Sequence, residues 1–363
     1  MSERSQTISS HASSWATNTT VEQVAATMRK ARSVVVTTHA KPDGDAIGSA
    51  LAVARSLRHG GADVAVWLTG PLPRWTREMC DRTPEREFQP GRPLTPADGQ
   101  VWENPDPDLA VVVDTGSWNQ VAELRPWLEG RAERTIIMDH HLHGDAPMAS
   151  RRIVDSTSAS CTQVVAPVCA ALMGASSAAG LPADVAEPLY LGLATDTGWF
   201  RYSSVTPATL RLAADLVEAG VNHTRLYRVI EQQDNAARWR LLGRALSSLV
   251  LHDIGGAGRI ATMRLTLGDF RQTGADQNDM SGFADMVLTV ASVEVSVVLS
   301  ESPVAPGEPP LTKFSLRSKP GPGAVDVNAV AKKLGGGGHA RAAGAKMRAG
   351  LDDAQRALLE ALR

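Results

Sequence analysis

His39, Asp43 and Asp45 fall within seven residues, in the run His39-Ala40-Lys41-Pro42-Asp43-Gly44-Asp45. Gly44 between the two acids lets their side chains diverge toward separate partners. Other acids and imidazoles recur at Asp114, in Asp139-His140-His141 and at Asp196. Together His39, Asp43, Asp45, Asp114, His140 and Asp196 supply two imidazoles and four carboxylates. Four ionised carboxylates in one cavity repel and raise one another's pKa, whereas two divalent cations balance their charge. Mixed imidazole and carboxylate donors suit Mn²⁺, Fe²⁺, Zn²⁺ or Co²⁺ better than Mg²⁺, and Mn²⁺ is the first expectation. Two such ions roughly 3.5–4 Å apart activate water and clamp a phosphate for in-line attack. Taken singly, Asp-Gly-Asp reads as a turn and Asp-His-His as a solvated strand end. The recurrence of these residues at three strand ends favours a site.

Those strand ends follow from short apolar runs. Val34-Val35-Val36-Thr37-Thr38 leads into His39, Ala110-Val111-Val112-Val113 into Asp114, and Thr135-Ile136-Ile137-Met138 into Asp139. Continuous apolar runs of this length read as buried strands of a parallel sheet. Residues 46–58 and 119–128 read as helices and 64–68 as a further strand, the alternation of a doubly wound α/β domain. Ligands in such sheets bind beyond the carboxyl ends of the strands.

Helical patterns follow at 160–173 and 184–194, and Thr206 with Pro207 predicts a helix start running to about 218. Residues 223–250 read as two helices broken near Asp234-Asn235. Strands are predicted at 259–266, 293–300 and 311–317, a helix at 325–334 and a short amphipathic helix at 352–363. A smaller α+β domain with a mixed sheet fits this second half. The expected organisation is a disordered tail (1–20), a metal-binding catalytic domain (21–222), a helical connector (223–252) and a substrate-binding domain (253–363). Residues 71–107 are expected to form a loop or helical insert on the sheet.

The second half also carries the cations. Residues 311–348 hold eight Lys and Arg against one acid, Asp326, so this segment is +7 in a chain of net charge −2. An acidic metal domain paired with a basic segment suits a polyanionic substrate. Gly335-Gly336-Gly337-Gly338 precedes His339 and Arg341; four glycines allow backbone N–H groups to form an anion-binding nest. Trp199, Phe200, Arg201 and Tyr202 read either as a base-stacking group or as core packing.

The bulk numbers limit the alternatives. A length of 363 residues with 43% hydrophobic and 21% charged residues fits two globular domains. Cys80, Cys161 and Cys169 form no C-x-x-C pair, which points to buried thiols in a reducing compartment. No run reaches the ~18 apolar residues of a membrane span, and residues 1–20 lack the apolar stretch of a secretory signal. A cytoplasmic protein without a membrane partner is expected.

Four segments carry a resemblance to a known family. In order they are Thr38-His39-Ala40-Lys41-Pro42-Asp43-Gly44-Asp45-Ala46-Ile47-Gly48-Ser49, Val113-Asp114-Thr115, Asp139-His140-His141 and Thr195-Asp196-Thr197-Gly198. They resemble the four motifs of the DHH phosphoesterase superfamily. The resemblance implies that His39 and Asp43 hold one ion, that Asp45, His140 and Asp196 hold the other, and that Asp114 bridges. It implies that His141 faces the substrate phosphate and that Asp139 stands behind the ligands, orienting an imidazole. Residues 335–344 resemble the Gly-rich signature of the DHH-associated C-terminal domain, and Phe314-Ser315-Leu316-Arg317-Ser318 its Arg-Ser motif. By that match Arg317, Ser318, Gly337, Gly338 and His339 grip the phosphates or terminal nucleotide of the substrate. Arg341 stands where the signature more often has Lys, which leaves its contact open.

Within the superfamily the chain looks most like the stand-alone nanoRNase and pAp phosphatase group, including actinobacterial cyclic di-AMP and pApA phosphodiesterases. The implied substrates are small nucleotides and short RNA, not long duplexes, and the implied assembly is a homodimer. Three other readings compete. A RecJ-like single-strand exonuclease calls for an additional OB-type domain, and an inorganic pyrophosphatase for a different C-terminal domain. An inactive nucleotide sensor should have lost a metal ligand.

Overall fold

The structure is a computed structural model, and it describes residues 15–80, 86–88, 106–253, 259–321 and 323–362. The chain divides into two compact units, residues 1–233 and 234–363.

The first unit is built on a six-stranded sheet of β1 (Ser33–Thr37), β2 (Asp63–Thr69), β3 (Arg86–Phe88), β4 (Leu109–Val113), β5 (Thr135–Asp139) and β6 (Arg151–Val154). Its strand order is β3-β2-β1-β4-β5-β6 and every pairing is parallel. The order reverses between β1 and β4, so the crevice for a ligand opens beyond their carboxyl ends. Five consecutive residues are buried in each of β1, β4 and β5, as the continuous apolar runs require.

The helices of this unit are α1 (Val21–Lys30), α2 (Gly44–His59), α3 (Thr76–Cys80), α4 (Arg125–Leu128), α5 (Cys161–Met173), α6 (Ala183–Asp196), α7 (Pro207–Glu218) and α8 (His223–Glu231). One sheet face packs on α2, α5 and α6 through residues such as Val34, Val36, Ile47, Leu51, Val165 and Leu189. The opposite face carries Val35, Trp67, Val112 and Ile137, covered by Leu124, Leu128 and Met148. The helix expected over 119–128 shrinks to Arg125–Leu128. Pro126 lies in its first turn, and proline tolerates only that position, so the residues before it form turns.

Helix α6 contains Pro188, which cannot donate to the carbonyl four residues earlier. Buried Arg55 of α2 donates to that carbonyl, of Asp184, at 2.8 Å and to Met79 O at 2.6 Å. The two helices meet almost backbone to backbone: a Cβ on Gly48 would lie 2.3 Å from Pro188 O and 3.0 Å from Gly192 N.

The tail expected over 1–20 lies outside the described residues only to position 14. From Trp15 onward the chain is tied to the sheet, which corrects that expectation. Asn18 N donates to Arg152 O at 3.0 Å, Arg152 N to Asn18 Oδ1 at 2.8 Å and Val154 N to Thr17 Oγ1 at 2.8 Å. This segment satisfies backbone groups of β6 that an edge strand otherwise leaves open.

The second unit holds α9 (Ala236–Ser247), β7 (Val250–Asp253), β8 (Arg259–Leu265), α10 (Leu267–Thr273), α11 (Phe283–Val287), β9 (Val293–Ser302), β10 (Leu311–Ser318), α12 (Val327–Lys333), β11 (Gly337–His339), β12 (Ala342–Met347) and α13 (Leu351–Ala361). Its sheet runs β11-β12-β10-β9-β8-β7, with β8 and β9 parallel and the other pairs antiparallel. One face packs on α12 and α13 through Phe314, Leu316, Ala343 and Ala345. Leu241, Phe270, Phe283 and Val298 form a second cluster with α9, α10 and α11. Helix α8 buries Leu226 in the first unit and α9 buries Leu241 in the second, so the break at Asp234-Asn235 is also the break between units. Among the described residues no helix is long and apolar enough to cross a membrane.

Candidate metal centre

The site forms where three strands end. After β1 the chain turns through Lys41, whose positive φ of 56° lets Asp43 cap α2. Asp43 Oδ1 accepts from Asp45 N at 3.0 Å and Ala46 N at 3.1 Å. Such N-caps contribute about 1 kcal/mol. Asp43 and Asp45 therefore part company: the first is largely exposed at the helix start, the second sits in the first turn with 1% of its surface exposed. Asp45 Oδ2 and Oδ1 accept from Cys161 N at 2.5 Å and Thr162 N at 2.9 Å, the first amides of α5. A helix N-terminus favours negative charge, which holds this buried carboxylate in one orientation.

Asp114 follows β4 in a left-handed conformation, φ 59°. Asp is one of the few side chains that tolerates this region, and such residues cluster at functional sites. Asp114 N donates to Met138 O at 3.0 Å, and Cys161 Sγ lies 3.2 Å from the same nitrogen. His39 Nε2 approaches Asp114 Oδ2 at 3.5 Å and His140 Nε2 approaches Asp114 Oδ1 at 3.3 Å. His140 Nε2 also stands 3.8 Å from Asp45 and 3.7 Å from Asp196, the last residue of α6.

The ligand atoms form overlapping triads, His39–Asp43–Asp114, Asp45–His140–Asp196 and Asp114–His140–His141, each with its atoms within 4.8 Å of one another. The first two repeat the partition that the family resemblance implies, with Asp114 between them. The electrostatics fit a cation pair. Burial and the neighbouring charges of Asp114 and Asp196 push the Asp45 carboxyl well above its usual range. Burial likewise pushes Asp196 up to about 6. Burial alone would lower His39 and His140, yet the adjoining carboxylates win and push both up to about 9. His39 Nδ1 lies 3.0 Å from Ala40 O and His140 Nδ1 3.4 Å from Ser158 O. Those carbonyls favour a proton on Nδ1 and turn each Nε2 toward the acids. A neutral Nε2 would face carboxylate oxygens lone pair to lone pair, so each takes up a proton, as the raised pKa values reflect, or a metal cation in its place. Asp114 Oδ1 is buried with His140 Nε2 at 3.3 Å and no well-aligned hydrogen bond, which leaves it able to take a cation.

Asp139 and His141 play different parts. Asp139 is fully buried, and its Oδ1 accepts from His140 N at 2.8 Å and His141 N at 3.2 Å, with His141 Nδ1 at 2.7 Å. The Asp139 carboxylate raises the pKa of His141, whose imidazole is half exposed. Trp15 was not singled out in the sequence, yet its Nε1 donates to His141 O at 3.0 Å. Its ring fills the space beside Gly116 and Gly144, where any Cβ would collide with it. Gly192 was also missed: a Cβ there would lie 2.7 Å from Asp45 Oδ1. A bare Gly or Trp in sequence carries no sign of such long-range contacts. Trp199 and Phe200 pack against the core, with Trp199 Nε1 donating to Glu231 Oε1 at 2.8 Å. Tyr202 remains exposed.

In the second unit Arg317 and His339 share one sheet face, since each pairs in register with Ala342 or with its partner across it: Arg317 with Ala342, and Ala342 with His339. Arg317 Nε meets Asp285 Oδ1 at 3.1 Å. Ser318 is buried and its hydroxyl donates to Val325 O at 2.8 Å; Arg341 Nη1 donates to the same carbonyl at 2.9 Å. The four-glycine run is not a nest of converging amides. Gly335 N and Gly336 N are taken by Lys332 O and Ala331 O at the end of α12, while Gly337 and Gly338 belong to β11. Glycine is required there for close approach: a Cβ on Gly336 would lie 2.1 Å from Gly344 O, and one on Gly338 2.6 Å from Ala342 O.

Comparison with known proteins agrees with this architecture. Residues 33–193 match the DHH family, N-terminal domain, and residues 258–363 match the DHHA1 domain. The bifunctional oligoribonuclease and PAP phosphatase NrnA of Thermus thermophilus is 31% identical over 338 residues, 91% of this chain and 89% of the relative. The protein of the same name from Bacillus subtilis is 24% identical over 328 residues, 90% of this chain and 93% of its own. Among solved structures, an exopolyphosphatase-related protein from Bacteroides fragilis superposes with a TM-score of 0.76 at 22% identity, covering 94% of this chain and 95% of that one. Doubly wound sheet, mixed second sheet, motif order and relatives converge, and the chain belongs to the DHH phosphoesterase family of phosphoester-bond hydrolases.

Proposed function

We propose that this enzyme uses two divalent cations, Mn²⁺ by preference, to hydrolyse short oligoribonucleotides to mononucleotides and to remove the 3′-phosphate of pAp. Linear pApA belongs to the same substrate class, and cyclic di-AMP is a further candidate. The observation that carries the reading is the pair of triads, His39–Asp43–Asp114 and Asp45–His140–Asp196, joined where Asp114 Oδ1 lies 3.3 Å from His140 Nε2. The bifunctional oligoribonuclease and PAP phosphatase relatives supply the substrate class.

When bound, the cations supply Lewis-acid activation of water and neutralise phosphoryl charge. The mixed imidazole and carboxylate donors support Mn²⁺ over Mg²⁺. Asp139 keeps the His141 Nδ1 proton in place and stabilises the imidazolium, so Nε2–H is free to donate toward a phosphoryl or leaving oxygen. Asp45 is held by the α5 amides and cannot swing away from its triad. Arg317 and His339, together on one sheet face with the Gly337-Gly338 backbone beside them and Ser318 bracing β10 from behind, would bind the substrate's anionic end. Catalysis is assigned to the first unit and substrate binding to the second, with the connector expected over 223–252 shared between them, α8 in the first and α9 in the second. A cytoplasmic homodimer completes the reading.

The test is turnover of pAp, pApA, cyclic di-AMP, a five-nucleotide RNA and pyrophosphate with Mn²⁺, with Mg²⁺ and with EDTA. The expected result is Mn²⁺-dependent hydrolysis of pAp and the RNA, lost in EDTA and in Asp114→Asn. Hydrolysis of pyrophosphate alone, or wild-type turnover by Asp114→Asn, would refute the proposal.

A further inference from the structure

The second sheet's face opposite α12 and α13, covered on its β8–β9 side by α9–α11, carries a second row of cations on its β10–β12 side. Lys313 of β10 pairs in register with Lys346 of β12 on one side and Ser300 of β9 on the other. Registered neighbours in an antiparallel pair point to the same face, so two ammonium groups stand side by side with no acid in their row. Like charges placed directly opposite each other destabilise a sheet. Among the described residues neither lysine has an ion-pair partner.

Lys313, Ser315 and Arg317 alternate along β10 and share that face, while Phe314 and Leu316 point into the core behind it. Between the cations the floor is low, because Ser315 pairs with Gly344 and Gly344 with Gly337. A cavity of about 470 Å³ opens over this floor, lined by Lys313, Ser315, Arg317 and Gly344, with Gln277 and Ser281 on its wall. Gln277 Nε2 donates to Glu301 O at 2.9 Å, and its Oε1 is buried without a partner.

Two residues along a strand advance about 6.8 Å, and the four from Arg317 to Lys313 about 14 Å. Each two-residue step is close to the spacing of successive phosphates along an extended single strand. We infer that Lys313, seconded by Lys346, holds a phosphate two links along from the one at Arg317, so that this face favours oligonucleotides of three or more residues. The inference rests on the substrate class proposed above. Arg317 exchanges Asp285 for its phosphate, whereas among the described residues the lysine row has no carboxylate to displace.

The test compares kcat/KM of wild type, Lys313→Gln, Lys346→Gln and Lys313→Arg, all full-length with Mn²⁺, on pAp, a dinucleotide and a five-nucleotide RNA across a salt series. Lys313→Gln should lower the five-nucleotide value about tenfold at low salt, through KM, as loss of one charge-assisted phosphate contact implies. It should flatten the log–log salt slope by about 0.7, the share of one phosphate in a single strand. Lys346→Gln, at an exposed position, should act in the same direction and less, and Lys313→Arg should stay near wild type. Values for pAp and the dinucleotide should stay within about twofold, since neither reaches the lysine row. An equal fall on all three substrates, or no change on the RNA, overturns the inference. Should wild type turn over none of the three, the substrate reading itself fails. Anisotropy of fluorescein-labelled five-nucleotide RNA then decides the lysine row alone, equal binding by wild type and Lys313→Gln overturning it.

Discussion

Stripping the metal should make the stability of the catalytic unit depend steeply on pH, in a direction set by two imidazoles. In the metal-free protein the carboxylates around His39 and His140 push both up to about 9, from an ordinary 6.5. A histidine with a raised folded pKa binds its proton more tightly in the folded state. Its stabilisation is fully present below pH 6.5 and is lost as pH rises through 9. At 1.36 kcal/mol per pKa unit, one imidazole contributes about 3 kcal/mol at most. The two share Asp114, so the pair contributes less than twice that. For a unit of this size 1 kcal/mol moves Tm by about 2–4 °C, so one imidazole alone should lower Tm by roughly 6–12 °C between pH 6.5 and 9 and the pair by more. Asp196, pushed up to about 6, exerts its own pH dependence below that window. The assay is thermal unfolding in EDTA across pH 6–9.5 for wild type, His39→Asn and His140→Asn. Each variant should flatten the profile, and saturating Mn²⁺ should raise Tm and abolish the slope, because a bound cation holds the imidazoles neutral. A metal-free Tm that is flat or rises with pH, or a His39→Asn profile parallel to wild type, would show that these groups do not meet as described.

Two further outcomes follow from the packing around the ligands. Asp139→Asn should lower kcat about 10- to 100-fold, and His141→Ala combined with Asp139→Asn should be no worse than His141→Ala alone, because Asp139 acts through that imidazole; additive losses in the cycle would contradict this. Gly192→Ala should destabilise the metal-free protein by about 1–3 kcal/mol in urea unfolding and weaken the Mn²⁺-induced rise in Tm, since its Cβ would press on Thr162 and on Asp45 Oδ1.

The part of the site that the sequence revealed is the part encoded locally. An apolar run ending in an acid or imidazole already specifies a buried strand and the edge at which its last side chain emerges, so His39, Asp114 and His140 could be placed before any fold was known. The start of α7 was equally legible, because Thr206 and Pro207 carry the cap in their own chemistry. What escaped depends on partners far along the chain. The α5 amides that fix Asp45 lie 116 and 117 residues away, and nothing near Asp45 announces them. The glycine run misled for the same reason: its composition permits a nest, but the end of α12 takes the Gly335 and Gly336 amides and pairing with β12 draws Gly337 and Gly338 into a strand. Strands β3, β6, β7, β11 and β12 were not foreseen, being short or rich in Gly and Ala.

The indole of Trp15 gives the site an order of assembly. It grips the carbonyl of His141, made 126 residues later. At about 5–20 residues per second, that interval lasts roughly 6–25 s on a ribosome. During it the leading segment has no edge strand to join and the ring no pocket to fill. Only when β6 has emerged can the segment around Trp15 return and fasten the loop that bears His141. Fastening of this loop is thereby tied to arrival of the last strand of its sheet, ahead of the α5 amides and Asp196 that finish the ligand set.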